Sequence, residues 1–500
     1  MNNNYVCLKR NINILIIGFG PHAQKTYARE FERLKVEKGR NNIKLCGIVD
    51  LDEKRTDVYR YLNKLTVAKG FTFIAAPNRI FGTDYFLTNE FSKRLTVFCN
   101  EQDINAVFIA TEPICHYAYI EWALNNRLHI FLDKPVTLHV NSSTEERQAQ
   151  KIVDDYLKIL ALHKKTKILP LNKPVIFSCL AQRRYHPAFL EMRRNIQNVY
   201  NKTNCPVTSI TALHSDGQWR FPYELLNESY HGFNEGVGKV SHSGYHLLDI
   251  VPWLIKVAER KDQKINKVRI FANFVRPKDI VQQLPEKDIE RIFGQHLKEK
   301  HTPLNKRKLL LDLNNYGEVD AYTNISFMHD NNKITDVNFT FLHSGFTGRT
   351  WVDTKDDPFI NRGRLKQEVI VLYQGPFFST HYHCCRAGTK DDFYHYQTGG
   401  VLHTEAHYYF NSEVLNLKIP RLQMVSYHTS DPPYTLQETS RATCVYEFIE
   451  AVETFDYKNT ELFSPFEEHK PSVLLMAGIY IAASKELVGK IPYYEMDFSL

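Results

Sequence analysis

INILIIGFGPHA, residues 12–23, is a nearly unbroken apolar run that feeds straight into a glycine turn. Such a run predicts a buried strand of a parallel sheet, ending where a phosphate can be cradled. Gly18-x-Gly20-x-x-Ala23 follows the dinucleotide fingerprint. Gly18 permits the tight turn, Gly20 lets the backbone approach a pyrophosphate, and small Ala23 lets helix and strand pack closely. Pro21 suits a first helical position, where its missing N–H costs nothing. The helix expected through Tyr27 to Leu34 aims its N-terminal amides and its dipole at the phosphates. Taken alone, the glycine motif also fits an ordinary strand-to-helix turn.

The second half of the fingerprint narrows that choice. Residues 43–50, IKLCGIVD, form another apolar strand ending in a carboxylate, at about the distance the second strand of a βαβ unit requires. Asp50 is placed to take both ribose hydroxyls of an adenosine and to repel a 2′-phosphate, so NAD is the expected cofactor. Lys54 and Arg55 nearby keep NADP as the alternative. The bland reading of Asp50 is a polar strand terminus.

Five hundred residues suggest two to three domains, and 43% hydrophobic with 24% charged residues is ordinary for a soluble globular chain. A net charge of +7 is a mild excess of 63 basic over 56 acidic residues. The basic runs Lys164–Lys167 and Lys306–Lys308 are short and lack interleaved aromatics, so no nucleic-acid partner is expected. Several of the nine cysteines, among them Cys46, Cys99, Cys115 and Cys179, lie in apolar segments and read as reduced core residues of a cytoplasmic protein. Two basic residues precede the first apolar run, as in a signal peptide, but that run ends in Gly18-x-Gly20 rather than a cleavage site. No stretch is long and apolar enough to span a bilayer, and no membrane partner is expected.

Beyond Asp50 the segment to about Asn100 is longer than a plain crossover needs, which predicts an inserted loop or hairpin over Phe71 to Phe86 on the adenine side. A buried strand follows at 106–110, AVFIA, then Thr111-Glu112-Pro113, a helix from His116 to Asn125, and a strand at 128–132, LHIFL, stopping at Asp133-Lys134-Pro135. From Asn105 to Pro135 this resembles the Gfo/Idh/MocA oxidoreductases, whose corresponding region reads strand, Ala-Thr-x-Pro, x-x-His, helix, strand, Glu-Lys-Pro. Asp133 stands where that family usually has Glu.

The resemblance continues. A charged amphipathic helix over Thr144 to Leu162 and a strand over Val175 to Ala181 lead into Gln182-Arg183-Arg184-Tyr185-His186-Pro187, similar to the family's Arg-x-x-Pro segment. Residues 236–254, GVGKVSHSGYHLLDIVPWL, resemble its glycine-rich turn and Asp-x-Gly-x-His-x-x-Asp helix. Gly244, His246 and Asp249 fall on that motif, and His242 takes the place of the first Asp. Lys267 to Val275 reads as the first strand of an antiparallel sheet, and Pro277 to Lys308 as a polar insertion on its rim. The alternating segments beginning at Ala321, Val337 and Val369 continue the sheet. Ser472 to Lys485 reads as a closing helix that packs back on the N-terminal domain.

The expected fold is therefore α/β. A Rossmann dinucleotide-binding domain over 1–140 and a linker helix over 141–172 precede a C-terminal α/β domain over 173–500 with a large, mostly antiparallel sheet. The resemblance implies cofactor contacts from Gly18, Gly20, His22, Ala23, Asp50, Thr111, Pro113, His116, Asp133 and Lys134. It implies catalysis by Lys134, His246 and His242, and substrate contacts from Arg183, Arg184 and His242. It also implies a cis Lys134–Pro135 peptide, hydride transfer between nicotinamide and a secondary alcohol or ketone of a sugar, cyclitol or related polyol, and a homodimer or homotetramer. For Lys134 without the family the bland reading is a surface ammonium; for Arg183 and Arg184 it is surface charge.

His242 and His246, four apart, share a face if helical; a catalytic face, a metal pair and satisfied interior histidines compete, and no HExxH pattern supplies a zinc framework. His381, His383, Cys384 and Cys385 would point alternately to the two sides of a strand. Their composition suits a soft metal, but the spacing matches no standard zinc framework, so a sheet segment with buried thiols is the reading taken and no metal is expected. Two rival functions stand: a dinucleotide-binding regulator or scaffold of the same superfamily, favoured by His242, and an NAD-dependent lyase or glycosidase.

Overall fold

A computed structural model describes residues 10–168, 174–217, 232–283, 286–293, 313, 315–343, 365–386, 402–428, 435–454 and 462–500. Positions 1–9, the basic run at 306–308 and the part of the expected insertion after 293 lie outside them. The chain divides into two compact units: Met1–His139 with Ile152–His186 and Asp431–Lys470, and Val140–Lys151 with Pro187–Ser430 and Pro471–Leu500.

The first unit is built on strands β1 (Ile12–Ile17), β2 (Ile43–Leu51), β3 (Thr72–Ala76), β4 (Ala106–Ile109), β5 (His129–Leu132) and β6 (Phe177–Cys179). All pair in parallel, in the order β3-β2-β1-β4-β5-β6. Side chains of β1 and β4 are buried almost without exception, as the continuous apolar runs require of strands covered on both faces. The chain leaves β1 toward β2 and β3, then returns to β4 on β1's other side. That reversal opens a crevice at the carboxyl ends of β1 and β4, where ligands of open α/β sheets bind. One side of the sheet is sealed by aromatic contacts: Phe108 lies 4.8 Å from Phe31, 5.0 Å from Phe131 and 5.4 Å from Phe448 between ring centroids. Phe448 belongs to the helix Leu436–Thr454, which buries Cys444, Val445, Phe448 and Ile449 in this core.

The second unit holds a nine-stranded sheet of β7 (Ser209–Ser215), β8 (Lys267–Val275), β9 (Asp320–His329), β10 (Asn332–Leu342), β11 (Lys366–Gln374), β12 (Phe378–Arg386), β13 (Leu402–Phe410), β14 (Leu422–Ser426) and β15 (Tyr493–Asp497). Its order is β14-β13-β12-β11-β7-β10-β9-β8-β15, antiparallel except for the pair β7 and β10. One face packs on helices: Phe189 of Pro187–Thr203 meets Tyr382, and Gly478 of Lys470–Glu486 lies so close that an added Cβ would come within 2.6 Å of Ile270. The opposite face exposes Phe271, Tyr322 and Tyr373.

Several expectations are corrected. The region 71–86 is no inserted hairpin at its start, because TFIAA pairs with β2 as the outermost strand and only the residues after it form a loop. The boundary at 173 moves: β6 completes the parallel sheet, and Tyr156 of the helix Glu146–Ile168 donates to the Phe466 and Glu467 carbonyls within the first unit. From Pro471 on, the closing helix Lys470–Glu486 belongs to the second unit. Ser472 bonds Asp249 and Tyr480 bonds Glu318, all in the second unit, while Leu436–Thr454 takes the expected place. Both helices are apolar enough for either role, so composition does not separate them. Lys267–Val275 is not the first strand of its sheet, since β7 precedes it.

Candidate active site

A cleft of about 720 Å³ opens at the strand-order reversal of the first unit, lined by Gly18, Phe19, Gly20, Asp50, Ala110 and Thr111 among others. Gly18 has φ +84°, and a Cβ there would come within 2.7 Å of the Ala110 carbonyl oxygen and of Thr111, so no side chain fits. A Cβ on Gly20 would meet nothing within 4 Å, which leaves room for a ligand against the backbone. Pro21 stands in the first helical turn and Ala23 is buried, as the fingerprint requires. The helix that follows contains a π-helical turn, Gln24–Ala28. The Gln24 carbonyl accepts from Arg29 N and also from the Tyr61 hydroxyl at 2.9 Å.

Asp50 shapes the turn. One carboxylate oxygen accepts from Phe19 N and the other from Leu51 N, each at 2.7 Å. A carboxylate offers about four acceptor sites, so two remain for ribose hydroxyls. The open cradle at Gly20 and the anchored carboxylate fit a dinucleotide.

The adjacent strand end carries Asp133-Lys134-Pro135, because β4 and β5 run in register up to Ile109 and Leu132. The Lys134–Pro135 peptide is cis, as the resemblance implies. Asp133 accepts from the Lys134 amide at 2.8 Å and lies 3.3 Å from His22 Nε2. Burial alone would raise the Asp133 pKa, but His22, Lys134 and His116 together hold it below the ordinary value. Burial lowers His22 despite Asp133, so its imidazole is neutral near pH 7. His116 is fully buried, with Nδ1 2.8 Å from the Pro135 carbonyl and Nε2 3.1 Å from the Thr111 carbonyl. Burial lowers its pKa, and the neutral ring, with a single N–H, donates to one of these two carbonyls.

Arg184 is not surface charge. It is buried and donates to Glu468 Oε2 at 3.0 Å and to the Phe463 carbonyl at 3.2 Å. Arg183 is buried as well.

In the second unit, His242 lies on the π-helical turn Val240–Gly244 and His246 at the start of the helix Tyr245–Lys256, both half-buried. Asp249 is buried and accepts from Ser472 Oγ at 3.1 Å, which anchors the helix Lys470–Glu486. Beside this turn lies a polar cluster that sequence reasoning missed. Lys239, buried, donates to Asp216 Oδ2 at 2.5 Å and sits 3.0 Å from His214 Nδ1. Lysine only donates, so His214 accepts at Nδ1. Ser243 Oγ donates to Asp216 at 3.0 Å, and His343 Nδ1 is 3.6 Å away. Burial pushes Asp216 up, yet Lys239 and the surrounding histidines bring it well below the ordinary carboxylate value. The parallel pair β7 and β10, aligned at Ser215 and Leu342, delivers His214, Asp216 and His343 from two strand ends. Only Lys239, inside the glycine-rich stretch, carried a readable signal.

Residues 12–155 match the Gfo/Idh/MocA family model, an oxidoreductase family with an NAD-binding Rossmann fold. No curated protein sequence matches the chain. Similar solved structures include an oxidoreductase from Agrobacterium radiobacter in complex with NAD+, L-tartaric acid and magnesium, at 11% identity over 97% of this chain and 98% of that one, with TM-score 0.53. An aldose-aldose oxidoreductase from Caulobacter crescentus, complexed with glycerol, is 13% identical over 98% and 100%, with TM-score 0.53. A UDP-N-acetylglucosamine 3-dehydrogenase from Acidithiobacillus ferrooxidans is 12% identical over 95% and 99%, with TM-score 0.51. At these identities the likeness shows the fold.

Proposed function

Because residues 12–155 match the model of an NAD-binding oxidoreductase family, we propose that the chain is an NAD-dependent dehydrogenase or reductase acting on a secondary alcohol or ketone of a sugar, cyclitol or related polyol. The observation that carries this is the cleft, with a glycine turn no side chain can occupy and an anchored Asp50, together with Lys134 just past the end of the nearby strand β5. NAD, when bound, supplies the hydride acceptor or donor. Gly18, Gly20 and Asp50 hold the dinucleotide, and Asp50 sets the preference for NAD. Lys134 donates a hydrogen bond to the reacting oxygen and stabilises its developing negative charge, a task for a fixed donor. Asp133, ionised and bonded to the Lys134 amide, fixes the backbone that carries it. On the resemblance His246 takes the hydroxyl proton, since an imidazole titrates near working pH. His242 orients substrate.

The test combines calorimetric titration of NAD and NADP with an absorbance screen for NADH over sugars and inositols. Lys134→Ala and His246→Ala should abolish turnover with NAD affinity nearly intact, and Asp50→Ala should narrow the gap between NAD and NADP. His242 in place of the motif Asp favours a second reading, a cofactor-binding regulator. Tight NAD binding without hydride transfer to any substrate, in wild type and in His242→Asp, would establish that reading and remove the first.

A further inference from the structure

The second unit's sheet carries a cluster that the proposed reaction does not use. β12 and β13 pair so that His383 faces Glu405 and Cys385 faces His403. Side chains alternate between sheet faces, and directly opposed residues share one, so His383, His403 and Glu405 lie together on a single face. It is the face opposite Tyr382, which packs on Phe189 of the helix Pro187–Thr203.

Donor atoms of these three residues all lie within 4.8 Å of one another. His383 Nδ1 and His403 Nε2 are 2.7 Å apart, with the rings inclined at 61° so that their edges converge. His403 and Glu405 are buried, and Glu405 also lies 3.8 Å from His407 Nε2 on the same face.

We propose that His383 Nδ1, His403 Nε2 and the Glu405 carboxylate form a binding site for a divalent transition-metal ion, with zinc as the fitting occupant. Two imidazoles and one carboxylate are a donor set zinc takes in three-ligand sites, with water in the fourth position. Zinc–nitrogen bonds of about 2.0–2.1 Å in tetrahedral geometry place two nitrogens about 3.3 Å apart. The histidine pair therefore has to open by roughly 0.6 Å, within reach of small side-chain rotations. Without an ion, one ring donates its proton to the other. With an ion, both lone pairs face the metal, the proton moves to that ring's other nitrogen, and Glu405 offsets part of the charge. His407 Nε2, 3.8 Å from the carboxylate, stands where a small shift would make it an outer contact of the kind that tunes metal sites. Burial and His403 lower the His383 pKa against the pull of Glu405, which favours the neutral ligand form. The spacing from His383 to His403 and Glu405 matches no sequence framework, because the ligands come from two strands and meet only through their register.

The experiment uses the full chain, stripped with chelator and titrated with Zn²⁺ against a chromophoric competitor, with Co²⁺ absorption reporting the ligand field. Wild type should take up about one ion per chain. His403→Ala and Glu405→Gln should each weaken binding at least about tenfold, the loss typical when a metal site is disturbed. The circular dichroism spectrum and thermal melt of each variant should match those of the metal-free wild type, which certifies that it is folded. Should His403→Ala fail that control, His383→Gln carries the same test. Substoichiometric uptake by wild type, or equal uptake by the folded variants, would overturn the site and leave the pair as a histidine–histidine hydrogen bond.

Discussion

His139 shows how one side chain can tie segments together through charge. It sits 2.9 Å from Asp155 and 3.0 Å from Asp84, joining the loop after β3 to the helix Glu146–Ile168. Burial lowers its pKa, but bonds to Asp155 and Asp84 outweigh burial and raise it to about 9. The folded value exceeds the unfolded one, so the stabilisation is fully present below about pH 6.5 and is lost as pH rises toward 9. From the size of the shift it amounts to something on the order of 3 kcal/mol. Thermal melts of wild type should fall across that window, whereas His139→Leu should melt lower at pH 6 and show a flatter profile. A wild-type melt that is level from pH 6 to 9 would contradict this assignment. At the same scale Gly18 was legible in the sequence because its demand is local, a left-handed φ at a strand end. His116 was legible as a motif residue, but its burial between the Thr111 and Pro135 carbonyls was not.

Among elements, the pairing of β7 with β10 matters most. Their parallel register brings Asp216 and His343 together at two strand ends, and Lys239, just before the π-helical turn, forms a buried ion pair with Asp216 there. Removing one partner strands the other charge out of water, at a cost of roughly 3–5 kcal/mol, whereas replacing both by apolar groups can be nearly neutral. Lys239→Met should therefore lower the calorimetric Tm sharply, and Lys239→Met combined with Asp216→Leu should recover much of the loss. Equal damage from single and double variants would show that the remaining contacts of Asp216, to Ser243 and His343, carry the energy instead. Most elements were readable from apolar runs and alternation. Of β12 and β13 only the segment around His381 to Cys385 was read as strand, because histidine, cysteine and tyrosine stand there in place of a plain polar alternation.

For the whole molecule, the open face of the nine-stranded sheet exposes Phe271, Tyr322, Tyr373 and Tyr409. Large aromatic side chains on an exposed sheet face point to a protein partner, and a second copy of this chain is the proposed one. Sedimentation at micromolar concentration should show a dimer or tetramer, and Phe271→Glu with Tyr322→Glu should shift it toward monomer. A monomeric wild type would remove the proposal. Among the described residues no helix is long and apolar enough to cross a membrane. What the sequence determined alone was whatever depends on neighbours along the chain: the strand, glycine turn and helix at 12–36, the carboxylate closing β2, and the Lys-Pro end of β5. Tertiary structure alone decided which helix covers which core, the burial of Arg184 against Glu468, the Lys239 cluster and the histidine–glutamate group on β12 and β13. Each of those depends on register or packing between segments far apart in sequence, and a local pattern holds no record of which distant strand will lie alongside.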